Sequence, residues 1–479
     1  MKYRNRRSLL CKTMIAMTIL FGGVQHGWAK PLPADTFIPS IRKDRVDPPA
    51  QGLWLSPGYG RLFDFRNNAV TVYNYAKGAC WRDSGYVNAP SLNSLIPFYS
   101  TAESSRSRVF ASAPEGTQYH VRSVTAIPSV CAQTINRTAP GYIFNAITAS
   151  LIDFYPFEKE HNVDWASRKK EWQARAMAAR SDRELQAILT ELFRGVEDLH
   201  TSISGTLNAR PFSIRGFRGD DFRWLQTVFA RQNQETLFLS WFMRSWMPKE
   251  LEQASAALLP GTRRQALNNG LVWGRLQGNI GYLAINRMGG FSDDGDLAAD
   301  RALLGPALDR ALTDLKNSPA LVVDISHNLG GYDEISADIA SRFADKHRPA
   351  YYKRAFRNGE EQPFATTPHR GVRYLKPISL LTSELTASAA EVFTMRMREF
   401  PHVTQVGETT QGVFSDSTEK SLPNGWTLSM STEIYRDSRG KNHEGVGMVP
   451  DIRYPVVWAD HAADGYRKAI LNAAELAAK

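Results

Sequence analysis

From Gly278 onward the chain alternates short apolar runs with amphipathic stretches at helical spacing, a pattern that few architectures can absorb. GNIGYLAINRM reads as a strand, RALLGPALDRALTDLKN as a helix, ALVVDIS as a buried strand and DEISADIASRFADK as a helix. PISLLT, SAAEVFTMRMREF and TQVGE continue as strand, helix and strand. A helix between two strands returns the chain to the same end of the sheet, so the strands should lie parallel beneath covering helices. LPNGWTL then predicts a hairpin turning at Asn424-Gly425. A terminal helix is expected near 460–477, and the whole of 273–479 is read as an α/β core.

Upstream the periodicity changes twice. Residues 138–272 are predicted mostly helical, with Ser181-x-x-Glu184 opening one helix as a capping box. Residues 51–135 carry short β-type runs (LWLS, RLFDF, AVTVYNYA) punctuated by Gly, Asn and Pro, and predict a small β domain. Residues 30–50, rich in proline and charge, read as a linker.

Residues 1–29 have a basic start, an apolar run too short to span a membrane, and a small residue, Ala29, at the end. That is a signal peptide and implies export, to the periplasm. Five of the 58 Lys/Arg and none of the 48 Asp/Glu lie in it, so its removal halves the net charge of +10. The remaining charge is scattered, which argues against a nucleic-acid partner. No later segment is apolar enough for a membrane span. In an oxidising compartment the two remaining cysteines, Cys80 and Cys131, are expected to form one disulfide. They lack metal-ligand spacing, and neither a metal nor a cofactor is expected.

Two stretches can carry chemistry. In DISHNLGGYDE a strand ends, the chain turns through Gly330-Gly331, and a helix begins. Adjacent glycines and a helix start offer free N–H groups to an anion. In SELTASAAEVF, Ser388 stands where a strand gives way to a helix, with Glu391 three residues on. That spacing describes a helix cap. It also describes a displayed hydroxyl with the N–H of Ala389 beside it. A nucleophilic serine needs a base. His200 in EDLHTS is favoured over His327 and His443, while Asp198, Asp324, Glu408 and Glu444 all remain open as its carboxylate partner.

Four ordered segments, DLHTS at 198–202, VVDISHNLGG at 322–331, TASAAE at 386–391 and EGVGMVPDI at 444–452, resemble the C-terminal processing (tail-specific) peptidases, family S41, and their tricorn-like branch. VGETTQG at 406–412 fits as well. The resemblance implies a crotonase-like core and a peptidase acting on peptide or protein substrates. Many members use a lysine base shortly after VGE, where this chain has Val413; Lys420 is the nearest lysine. The resemblance to the tricorn-like branch instead implies catalysis by Ser388, His200 and Glu444, with Gly331 (or Gly330) and Ala389 as oxyanion donors. Two departures stand out. Ser326 occupies a position usually held by arginine, and Leu199 replaces the serine that in tricorn bridges the histidine to the glutamate. A PDZ module is not predicted between Thr201 and Gly274. Two other functions compete: a non-catalytic ligand-binding protein on the same scaffold, and an esterase or other acyl hydrolase.

Overall fold

A computed structural model describes residues 32–479 apart from 101–105, 233–235, 294, 358 and 458–464. The expected leader lies outside the described residues. The N-terminal region is an eight-stranded antiparallel sheet, ordered Phe37–Pro39, Phe98–Ser100, Ser107–Ala111, Gln118–Ser123, Leu53–Ser56, Arg61–Asp64, Thr71–Ala76, Ala79–Arg82. One boundary differs from expectation. Residues 30–50 are not simply a linker, because Phe37–Pro39 pairs with Phe98–Ser100 and Val46 and Ala50 are buried in the core of this domain. Cys80 and Cys131 are disulfide-bonded, Cα to Cα 4.8 Å, tying the last strand to the short helix Ser129–Ala132.

Helices Pro140–Phe154, Trp165–Ala178 and Asp182–Leu192 follow. Ser181 caps the third by accepting from Glu184 N (3.3 Å), while Glu184 reaches back to Arg180 N (2.9 Å). The next segment departs from the helical expectation. Ser202–Leu207 and Arg210–Arg215 form a hairpin, and Ser202–Leu207 also pairs with Thr427–Ser431, building a four-stranded sheet. That pairing docks the segment carrying His200 onto the core, and Ser429 Oγ donates to the His200 carbonyl (2.8 Å). Helices Asp220–Arg231 and Met247–Ala257 lead into the core.

The core sheet has seven strands, ordered Arg264–Ala266, Leu271–Arg275, Gly281–Ile285, Leu321–Asp324, Ile378–Thr382, Val403–Gly407, Ile452–Arg453. It is parallel from Gly281–Ile285 onward and antiparallel before. Alternate side chains serve opposite faces, as strand geometry requires. Leu321, Val323 and Leu380 pack under helices Leu297–Leu315, Asp333–Ser341 and Ala389–Met397. Val322 and Leu381 pack against the terminal helix Gly465–Ala477. Tyr466 of that helix and Tyr282 both donate to Asp324 Oδ2 (2.8 Å each), at the strand end that leads into the glycine turn. The hairpin at Asn424-Gly425 forms as expected, with Gly425 at φ 84°. No helix among the described residues is long and apolar enough to cross a membrane.

Candidate active site

Ser388 connects strand Ile378–Thr382 to helix Ala389–Met397 at φ 57°, ψ −128°. A residue with a Cβ pays roughly 1–3 kcal/mol to sit there, so the surrounding structure must impose it. The constraints are visible. Thr386 Oγ1 donates to the Ile325 carbonyl (3.0 Å), Ala387 N to the Asn328 carbonyl (3.0 Å), and Ser383 Oγ to the Ser326 carbonyl. The loop before the serine is thus laced to the turn that carries the glycines. Glu391 fills its half of the capping box by accepting from Ser388 N (3.2 Å). Its carboxylate also takes Gly412 N (2.7 Å), Val413 N (2.8 Å) and Thr410 Oγ1 (2.5 Å). Burial pushes the Glu391 carboxyl up to about 7.

The glycine turn comes within van der Waals reach of this serine. A Cβ added at Gly330 (φ 103°) would lie 2.6 Å from the Ser388 Cβ and 2.9 Å from Ala389 N, so only glycine fits. Gly330 N–H is already given to Asn328 Oδ1 (2.8 Å), which leaves it unavailable as an oxyanion donor. Among the described residues nothing accepts from Gly331 N–H or from Ala389 N–H, and Gly331 opens onto the cleft beside Ser388.

That cleft is about 1080 Å³. Gly331, Ser388 and Phe414 line it from the core, and Tyr59, Arg61 and Tyr119 line it from the β domain. The β domain is held there by Ser112 Oγ on Glu334 Oε1 (3.1 Å), Trp81 Nε1 on the Ser421 carbonyl (2.7 Å) and Tyr59 on Glu433. Lys420 belongs to the same seam. Its amine donates to the Gly60 carbonyl (3.1 Å) and stacks over Phe154 (4.8 Å). It is therefore engaged structurally and is no substitute for a lysine at position 413.

His200 follows Asp198, a fully buried carboxylate that accepts from His200 N (2.8 Å), Thr201 Oγ1 (2.7 Å) and Ser431 Oγ (3.0 Å). The His200 ring meets the Ser415 backbone, and its Nδ1 is buried without a partner. Burial lowers its pKa, against the pull of Asp198 and with a further push from Arg215, so the imidazole is neutral near pH 7. His443 is bound to Asp437 (2.8 Å), and His327 to Ser326 (3.0 Å).

Glu444 is buried, and its Oε2 accepts from Phe414 N (2.9 Å) and Ser415 N (3.1 Å). The histidine beside it is His161, with Nε2 3.9 Å from Glu444 Oε1. No hydrogen bond joins His200 to Glu444 or to Ser388 among the described residues. Sequence reasoning missed His161, which stands in no motif. Of the other carboxylates considered, Asp324 is held by Ser326, Tyr282 and Tyr466, and Glu408 accepts from Val456 N (3.0 Å). Among the described residues no group of three or more His, Cys, Asp or Glu is arranged to hold a metal ion.

Residues 279–454 match the family model of peptidase family S41. The carboxy-terminal processing protease CtpB of Bacillus subtilis is 29% identical over 165 residues, 34% of this chain and 31% of that protein. CtpA of the same organism is 26% identical over 138 residues, 29% of each chain. The chain thus spans about a third of the length of the curated relatives it matches. Among solved structures, a Parabacteroides merdae protein superposes with TM-score 0.55 at 22% identity, over 71% of this chain and 97% of that one. Mature CPAF does so with TM-score 0.51 at 12% identity, over 71% and 96%. At such identities these two structures establish a shared mixed α/β fold.

Proposed function

With residues 279–454 matched to peptidase family S41 as the premise, we propose that this chain is a serine peptidase that cleaves peptide bonds through Ser388, with His200 as general base. The observation that carries this is the strained backbone of Ser388, φ 57° and ψ −128°, held beside two uncommitted N–H groups in a large cleft. A plain helix cap needs no such conformation. Ser388 Oγ attacks the substrate carbonyl, and neutral His200 takes its proton. Gly331 and Ala389 N–H groups receive the oxyanion, a contribution of roughly 3 kcal/mol per donor in other hydrolases. His200 then protonates the leaving amine, and water releases the acyl group by the reverse sequence. Glu444 serves by fixing the Phe414–Ser415 backbone against which His200 packs.

The β-α units of the core are assigned to the crotonase-like class that the resemblance implies. The leader, together with the Cys80–Cys131 disulfide, supports export to the periplasm. The substrate class is a peptide or protein segment, a reading supported by the family match and by a cleft of about 1080 Å³ lined from both the core and the β domain. Labelling with a fluorophosphonate probe tests the reading. Wild type should label, and Ser388→Ala and His200→Ala should not. A folded wild type that stays unlabelled would overturn it in favour of a ligand-binding protein. A chromogenic ester hydrolysed while peptides are not would point to an acyl hydrolase.

A further inference from the structure

Resting on the reading of Ser388 and His200 as nucleophile and base, we propose that His161 is a positioning residue of the same site, the buried counter-charge that favours the ionised form of Glu444 and its hold on the Phe414–Ser415 backbone. His161 sits in the turn after helix Pro140–Phe154. Its N–H donates to the Phe157 carbonyl (3.0 Å), and Val163 N closes the turn on the Glu158 carbonyl (2.8 Å). The turn is docked directly on the glutamate loop, since a Cβ added at Gly445 (φ 71°) would lie 3.1 Å from the Glu160 Cβ. His161 Nε2 and Glu444 Oε1 face each other at 3.9 Å. Both residues are buried, 7% and 2% exposed, and neither atom has a hydrogen-bond partner among the described residues.

Two of the carboxylates around His161 hold the surroundings of His200. Glu444 fixes the backbone that the His200 ring meets, and Asp198 accepts from the His200 N–H. Beyond burial, Asp198 raises the pKa of Glu444, and buried carboxylates that influence each other either hold a proton or face a cation. The ionisable groups facing His161 are Tyr155, Glu160, Asp198 and Glu444. Burial lowers the His161 pKa, yet Glu444, Asp198 and Glu160 outweigh it, and the net shift is upward. Burial raises the Glu444 carboxyl to about 7 even with His161 beside it, and His161 is the neighbour that limits the rise. Without His161, Glu444 would take up a proton at higher pH and become a weaker acceptor for the two N–H groups.

The test compares wild type and His161→Gln for peptide hydrolysis across pH. The expected result is a kcat lower by about tenfold or more with KM little changed, and an acid limb moved up by about one pH unit. Added imidazole should return the limb towards its original place. An unmoved acid limb overturns the proposal, even if total activity falls through poor folding. Histidine-selective NMR of the folded protein reads the pair without any turnover. His161 should titrate above free histidine, and Glu444→Gln should lower its pKa. A His161 signal indifferent to Glu444→Gln overturns the proposal. If His161 responds but the wild type neither cuts peptides nor labels at Ser388, the serine-peptidase reading fails and the positioning role falls with it.

Discussion

Leu199 and Val413, the two apolar departures from the motifs, share one hydrophobic cluster with Leu385 and Ala387 of the loop that ends at Ser388. Val413 is 0% exposed and Leu199 4%. Both departures thus belong to one apolar cluster beneath the serine loop, and a polar base at 413 would have to enter it.

Val413→Lys should accordingly destabilise the fold by about 3 kcal/mol or more, because a longer, charged side chain is forced into that apolar cluster. Urea unfolding measures the loss, and fluorophosphonate labelling should not exceed wild type. A variant as stable as wild type that labels faster would show that the site retains room for a Ser-Lys pair.

Ser388→Gly should be more stable than Ser388→Ala by about 1 kcal/mol, although both abolish labelling. Glycine occupies φ 57°, ψ −128° without the Cβ clash that alanine keeps. Thermal unfolding of the two variants side by side decides it, and equal midpoints would mean that the elbow stores no strain.

Stability should fall as pH rises from about 4.5 to about 7.5. Glu391, Glu408 and Glu444 are raised to about 7 and Asp221 to about 8, chiefly by burial. Between the unfolded value near 4 and these folded values the native state holds more protons, so the slope of unfolding free energy with pH is negative. Calorimetry across this range should show the midpoint dropping, then levelling above about pH 8. Glu391→Gln, which keeps an acceptor for Val413 N but does not titrate, should flatten the slope.

Reducing Cys80–Cys131 should lower stability by about 4 kcal/mol, the loop-closure value for a bridge of this span, with a sequence separation of 51. Guanidinium unfolding with and without reductant measures it.

Much of this was legible in the chain. The alternation after Gly278 marks the order of strands and helices because each element is long enough for its period to show. Asn424-Gly425 marks its hairpin, and Ser388 marks itself by standing between a strand and a capped helix. Other features were hidden for identifiable reasons. Phe37–Pro39 is three residues long and proline-bearing, too short for any period. The hairpin at 202–215 is set by a partner strand more than 200 residues away, Thr427–Ser431. Gly330 and Gly331 look alike in sequence, and only the Asn328 side chain separates the committed N–H from the free one. His161 meets Glu444 through a turn docked on a distant loop, which no local pattern encodes.

The bonds from Tyr466 and Tyr282 to Asp324 bear on when the molecule can first act. Tyr466 stands 78 residues after Ser388 (466 − 388), and it braces the strand whose next turn carries Gly330 and Gly331. During synthesis, then, the serine and its glycines leave the ribosome well before the brace that steadies them. A nascent chain carries an unfinished blade, and a later stretch of the chain locks it into its handle.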